Sequence, residues 1–480
     1  MKGIRKIIVT FLSIAMVISM VNVLPSDNIK NVDAAETFAI TAPVANSTVA
    51  AGYIDIKWND ASSYGTVTNY KVYINGSLAA TTKNLSYTFY TTKVYYHSAW
   101  VVAELSNGSK INTPTIKFGV TKKGLGLATD MGANLNIKGM GVAWYYNWGE
   151  NPSSGSQYQG VEYVPMVWKE TSATNLKNRV NSAKSKGYKY VLTYNEPDLQ
   201  GQCNMTVNAV YTAWQGLDGM TGIKISSPVT ALWPKASSNW FQPFMSKIDV
   251  NNDYDPDFIS IHCYPDNYAG KSMANWFVKE VVDWTWNTYH KPIWITEFST
   301  TGANVTATGG NGTKEFWETV MPLLDQRDYV ERYAAFDFNS DTTGLWRYYT
   351  TKLTPAGEVY SKLGNPTQDY NTGDNKNTGS TIVTVKKPAK AKIKSAKNVK
   401  GKKIKVTLKK ISGAKGYQIR WCENRKFDGY DSKTITKLKY TIKGLEKRTN
   451  CYIKVRAYKK DGSKKLYGKW SSIKKVKVKK

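Results

Sequence analysis

Two glutamates in this chain stand where a carboxylate is hard to explain as ordinary surface. Val191–Tyr194 is an apolar, strand-favouring run that ends in Asn195-Glu196-Pro197-Asp198, and Trp294-Ile295-Thr296 runs directly into Glu297-Phe298. Most acidic side chains are solvated surface groups, so two carboxylates alone say little. Two that each follow an apolar strand can work as a pair. One carboxyl would protonate a leaving oxygen while the other attacks an acetal carbon, which is the chemistry of glycosidic bond cleavage. Retention of configuration needs the two groups about 5 Å apart. Asn195 can donate its amide to the 2-hydroxyl of the sugar, a contact that strengthens in an oxocarbenium-like transition state, and this makes its neighbour Glu196 the acid/base. Glu297 is then the nucleophile. The competing reading of Glu196 is a turn residue.

Aromatic residues crowd the same strand ends. Trp144, Tyr145, Tyr146 and Trp148 come in one run, Trp168 in a second and Trp233 in a third. Sugar rings present apolar C–H faces that pack on flat aromatic surfaces. Trp144, Tyr145, Trp168 and Trp233 are therefore candidate substrate contacts, against the bland reading of aromatic core. His262 and Tyr264 close another strand, where either could bind the nucleophile or a sugar hydroxyl; the alternative for His262 is a purely structural role.

Such residues need elements that bring distant strand ends together. Between about 122 and 364 short apolar strands alternate with helical stretches, the signature of β/α units around a parallel sheet. Eight candidate strands start near Gly124, Gly139, Glu162, Tyr190, Ile223, Asp257, Lys291 and Tyr333. Amphipathic stretches such as 173–186 and 273–289 lie between them. Eight strands in this length predict a (β/α)8 TIM barrel, whose chemistry sits at the C-terminal ends of the strands.

These motifs, in order and spacing, resemble family 128 glycoside hydrolases: Trp144-Tyr145-Tyr146-Asn147-Trp148-Gly149, Tyr163-Val164-Pro165-Met166-Val167-Trp168, Tyr194-Asn195-Glu196-Pro197-Asp198, Ser227-Pro228, Ile261-His262-Cys263-Tyr264, Trp294-Ile295-Thr296-Glu297-Phe298 and Glu331-Arg332-Tyr333-Ala334. The resemblance covers about half of the chain. It implies a clan A barrel, a retaining mechanism, β-1,3-glucan as substrate, and the roles argued above for Glu196 and Glu297. Two positions depart from the pattern. Cys263 stands where a tryptophan is expected, and Ala335 precedes Phe336 where a Trp-Phe pair is usual. Both positions are read as lying near the cleft, so the loss of the two tryptophans should leave the catalytic pair intact but alter the β-1,3 specificity and the endo action. Rival readings are a clan A hydrolase of another β-glycan and a non-catalytic carbohydrate-binding surface adhesin.

The flanks differ in kind. Residues 37–118 alternate in period two, as in Tyr53–Trp58 and Asn69–Gly76, which predicts a fibronectin/Ig-like β-sandwich. Residues 393–480 repeat that pattern. Gly416-Tyr417-Gln418-Ile419-Arg420-Trp421 and Tyr452-Ile453-Lys454-Val455-Arg456-Ala457-Tyr458 resemble a fibronectin type III domain, with Cys451 near the position of its corner tyrosine and so expected in the core. Residues 365–392 read as a flexible linker. The net charge of +30 is concentrated in the tail: from Lys386 onward there are 34 Lys and Arg against 5 Asp and Glu. A domain so basic suits an anionic cell-wall polymer, or merely aids solubility. Residues 1–35, with Lys2, Arg5 and Lys6 before an apolar run and Val32-Asp33-Ala34-Ala35 after it, read as a secretory signal peptide, the alternative being an uncleaved membrane anchor. The signal reading makes the protein extracellular, with no nucleic-acid partner expected and no membrane span after cleavage. Four cysteines (203, 263, 422 and 451) leave the disulfide state open. They match no zinc spacing and the three histidines are scattered, so no cofactor or metal is implied.

Overall fold

The chain enters its central domain without a linker. The strand Ile116–Thr121 ends the N-terminal sheets, and two residues later β1 (Lys123–Gly126) begins the next. This computed structural model describes residues 37–127, 135–251, 253–265, 270–300, 311–336, 344–347, 350–370, 388–425, 427, 430–461 and 464–479. The signal segment and most of the expected linker lie outside the described residues. No helix among the described residues is long and apolar enough to cross a membrane.

Central strands follow as β2 (Trp144–Tyr146), β3 (Glu162–Tyr163), β4 (Met166–Val167), β5 (Tyr190–Asn195), β6 (Lys224–Val229), β7 (Ile259–Cys263), β8 (Ile293–Phe298) and β9 (Val330–Phe336). Every pairing among them is parallel. One sheet runs β3-β2-β1-β9-β8-β7 and the other β4-β5-β6, with a Ser226–Phe258 bridge tying β6 to the entry of β7. The single strand expected from Glu162 is split at Val164-Pro165, because proline has no N–H to give the ladder. Helices lie between the strands, among them Ala173–Ser185, capped by the Ser172 hydroxyl. The stretch expected at 273–289 begins at Gly270 and passes through a π-helical section, Phe277–Asp283, before Trp284–Tyr289.

Strand alternation divides the apolar residues into two cores. Trp144, Tyr146, Met166, Tyr190, Leu192 and Trp294 form one cluster together with Ala50 of the N-terminal sheets. Tyr145, Val167, Val191, Tyr194, Ile225 and Ile295 pack instead with the helices. Lys122 and Lys123, both buried, satisfy helix ends. Lys122 Nζ donates to the carbonyls of Leu324, Asp325 and Arg327 after the helix Asn311–Asp325, and Lys123 Nζ to those of Tyr360 and Leu363 at the end of Pro355–Lys362. Cations placed there meet carbonyls that no helix partner satisfies.

Each flank is built of two sheets around a shared core. The N-terminal core joins Ile54 and Ile56 to Val72, Val101 and Phe118, and the C-terminal core joins Ile404, Val406 and Ile442 to Ile419, Ile453 and Val455. Cys451 lies in the latter core, as expected. All four cysteines are buried thiols, not disulfides. The expected linker boundary needs correction. Residues 365–370 pack on the N-terminal sheets, where Tyr96 N donates to Gln368 O (2.8 Å), Tyr370 N to Tyr96 O (2.8 Å), and Lys117 pairs with Asp369. Short polar composition looked like a tether, but an exposed sheet edge offers it backbone partners.

Contacts between the N-terminal sheets and the central domain are extensive. Arg332 donates through Nε to Ala51 O (2.9 Å) and through Nη2 to Glu162 (2.9 Å), while its guanidinium lies over Tyr190 and Trp294. Tyr90 OH donates to Glu331 (2.9 Å), whose carboxyl burial pushes above its ordinary range. Gly52 has φ +112°, and a Cβ there would strike Tyr190 and Glu331. At the other end Arg456 reaches Asp249 of the central domain at 3.2 Å.

Candidate active site

Strand β5 ends on a strained backbone. Tyr194 and Glu196 both have φ 46°, the left-handed region that side chains other than glycine rarely adopt. The Glu196 N–H donates to Val229 O (2.7 Å) at the end of β6, and the Asn195 N–H to Trp168 O (3.1 Å) after β4. The turn therefore hangs between its two neighbouring strands, with the Glu196 side chain aimed where β7 delivers His262. His262 Nδ1 lies 2.9 Å from Glu196 Oε1, and Nε2 lies 3.4 Å from Glu297 Oε1. One polar atom each from Glu196, His262 and Glu297 lie within 4.8 Å of one another.

Glu297 at the end of β8 is held by donors from three places. Tyr146 OH donates at 3.1 Å and Trp148 Nε1 at 2.8 Å to Oε1, and Tyr264 OH donates to Oε2. Burial and the nearby Glu297 charge hold the Tyr146 and Tyr264 hydroxyls well above the ordinary tyrosine range, so both remain protonated donors at neutral pH. Trp148 reaches the carboxylate from a left-handed backbone, φ 59°. The preceding Asn147 fixes that turn by accepting from Gly149 N and Tyr163 OH and donating to Asn151 O and Ser153. Phe336 meets Trp148 and Tyr264 edge-on at 5.5 and 5.8 Å.

Several expected contacts are placed differently. Trp144 is fully buried, donates through Nε1 to Lys122 O (3.0 Å) and packs on Trp294 at 5.1 Å, so it fills the inner core and cannot touch a substrate. Tyr145 points the opposite way, stacked on Tyr158 at 4.7 Å in the helix-facing core. Period-two alternation explains both corrections: the inward positions of β2 are Trp144 and Tyr146, and only Tyr146 lies at the strand's C-terminal end. Tyr146 and Trp148 are thus the site residues that motif reading passed over, although counting alternate residues toward the strand's end identifies Tyr146. His262 is fully buried and touches the carboxylates, not solvent. Trp168 is half-buried against the inner cluster beside Asn195. Trp233 packs edge-on against Trp276 at 5.3 Å. Asn195 gives one amide N–H to Gln202 Oε1 (3.2 Å), while its Oδ1 is buried without a partner.

The two departures from the family pattern also move. Cys263 and Ala335 both lie in the helix-facing core, so the missing tryptophans change helix packing, not the cleft. Among the described residues, Glu196, His262 and Glu297 are the one group with metal-ligand spacing. The Glu297 oxygens accept two phenols and an indole, donors that hold the carboxylate in place.

Residues 124–360 match the family model of the glycosyl hydrolase catalytic core, and a glycoside hydrolase is the class this match supports. Among characterised proteins the chain is similar to alkali-sensitive linkage protein 1 of Schizosaccharomyces pombe, 30% identical over 220 residues. That stretch is 43% of this chain and 37% of the relative, little more than a third of its length. Among solved structures it is similar to a GH128 subgroup I endo-β-1,3-glucanase from Amycolatopsis mediterranei in complex with laminaritriose, at 29% identity and TM-score 0.43, covering 50% of this chain and 98% of that one. It is also similar to a GH128 subgroup III curdlan-specific exo-β-1,3-glucanase from Blastomyces gilchristii, at 26% identity and TM-score 0.39, covering 50% and 98%.

Proposed function

We propose that the protein is a retaining β-glucan hydrolase, with β-1,3-glucan as the substrate its motifs favour. The observation that carries this reading is the closeness of the Glu196 and Glu297 carboxyls, whose nearest oxygens fall within 4.8 Å. Retaining enzymes place the pair about 5–5.5 Å apart, whereas inverting ones leave about 6.5–9.5 Å for a water. The surroundings separate the roles. Glu297, held by three donors, attacks the anomeric carbon as Glu196 gives its proton to the departing glycosidic oxygen. The glycosyl ester on Glu297 is then opened by water, whose proton returns to Glu196. His262 keeps the two carboxyls in register, and Asn195 faces the 2-hydroxyl.

Around this site we infer a (β/α)8 TIM barrel. Parallel neighbours that follow chain order, with β9 pairing back to β1, support closure. The flanks are read as sandwiches at 37–118 and 393–480, the second of fibronectin type III type. A cleaved signal segment would place the enzyme outside the cell, where the basic domain would hold it to an anionic wall polymer through screened charge attraction.

The test is release of reducing sugar from laminarin, curdlan, cellulose and mixed-linkage glucan, with Glu297→Gln as control. Release from laminarin or curdlan that falls by about 10⁴ or more in the variant is expected. Release that survives the substitution removes Glu297 from the mechanism. Binding without release on every glucan would make the chain a carbohydrate-binding surface protein instead.

A further inference from the structure

Asn195 ends in a carboxamide whose two faces are chemically opposite, one donating and one accepting, and something must decide which faces the sugar. The loop after Glu196 does this. It folds back on itself through Leu199 N to Glu196 O (3.1 Å), Cys203 N to Asn195 O (3.1 Å) and Met205 N to Pro197 O (2.9 Å). Gly201, at φ +91°, supplies a turn that a side chain would strain, and the buried Cys203 and Met205 anchor the loop in the helix-facing core. Between glycine and anchor, Gln202 is the residue delivered onto Asn195, its Oε1 accepting the Asn195 Nδ2 hydrogen at 3.2 Å.

This bond fixes the orientation of the carboxamide. One N–H is consumed by Gln202, and Oδ1 is left buried with no partner in the protein. A buried acceptor without a donor is costly, and a ligand hydroxyl that supplies the donor recovers that cost. We propose that Gln202 is a positioning residue that acts through Asn195. It presents Oδ1 and the remaining N–H to the 2-hydroxyl of the sugar under attack, so that the site selects glycans whose C2 carries a free hydroxyl. The inference rests on the glycosidase reading above and adds a residue and a selectivity to it.

The test compares 4-nitrophenyl β-laminaribioside with its analogue lacking the 2-hydroxyl on the ring that bears the nitrophenol, using wild type, Gln202→Ala and the near-isosteric Gln202→Met. Both variants should lose about tenfold in kcat/KM on the hydroxylated substrate, the size of one hydrogen bond, mainly in kcat, and little on the deoxy substrate. Equal losses on both substrates would mean that Gln202 merely supports the loop, and no loss on either would mean that the bond is idle; each overturns the proposal while leaving the glycosidase reading intact. A loss in Gln202→Ala alone would assign the effect to packing and also overturn it. Failure of the wild type to cleave any β-glucoside or glucan overturns both readings together.

Discussion

At the scale of single residues, the chemistry turns on how unequally the two glutamates are supported. Glu297 accepts from Tyr146, Trp148 and Tyr264, whereas Glu196 meets His262. Fixed donors around a carboxylate hold it on line for attack. Trp148 is the most informative of the three, because its indole reaches Glu297 from a backbone conformation that must itself be held in place. Trp148→Phe keeps an aromatic ring beside Phe336 and removes the indole donor. Its kcat should fall by about 10²-fold. An unchanged kcat would show that the indole N–H plays no part in supporting the nucleophile.

At the scale of elements, the strand His97 lies on shows what burial costs. The ring stacks on Tyr370 and Phe118, Nδ1 accepts from Asn75 at 2.9 Å, and burial pushes its pKa from 6.5 down to about 4. The folded form therefore binds its proton less readily than the unfolded chain. The stability this group contributes is present above 6.5 and lost as pH falls through about 4. The loss amounts to about 3 kcal/mol, and denaturant melts between pH 7 and 4 should show it in the wild type and not in His97→Phe. An identical acid slope in both would place the sensitivity elsewhere. Elements were legible in the sequence where periodicity was strong: the strands ending in Glu196, His262 and Glu297, and the helix over 173–185, agree with their apolar patterns. What escaped was orientation and tertiary pairing. Trp144 and Tyr145 could be placed on a strand but were read on the wrong faces, and the deeper layer of a sheet looks no different in sequence from its rim. Residues 365–370 have a linker's composition because backbone hydrogen bonds, which composition does not show, make part of their contacts.

At the scale of the whole molecule, the central domain is joined unequally to its two flanks. The N-terminal sheets share Arg332, Glu331, Tyr190 and a continuous chain with the central domain. Removing them would leave a buried guanidinium without its Ala51 acceptor and expose an aromatic floor, a cost of several kcal/mol. A chain starting at Lys122 should fail to fold, whereas one ending after Tyr370 should keep full activity on soluble glucan, because every residue placed in the active site precedes Tyr370. A stable, active fragment from Lys122 onward would contradict the first expectation, and lost turnover in the shorter chain the second. The central claim is that Glu196 and Glu297 perform a double displacement. Following the anomeric configuration of the sugar first released from laminarin by proton NMR, before mutarotation, tests it most directly: the β-anomer should appear first, and initial release of the α-anomer would contradict the account.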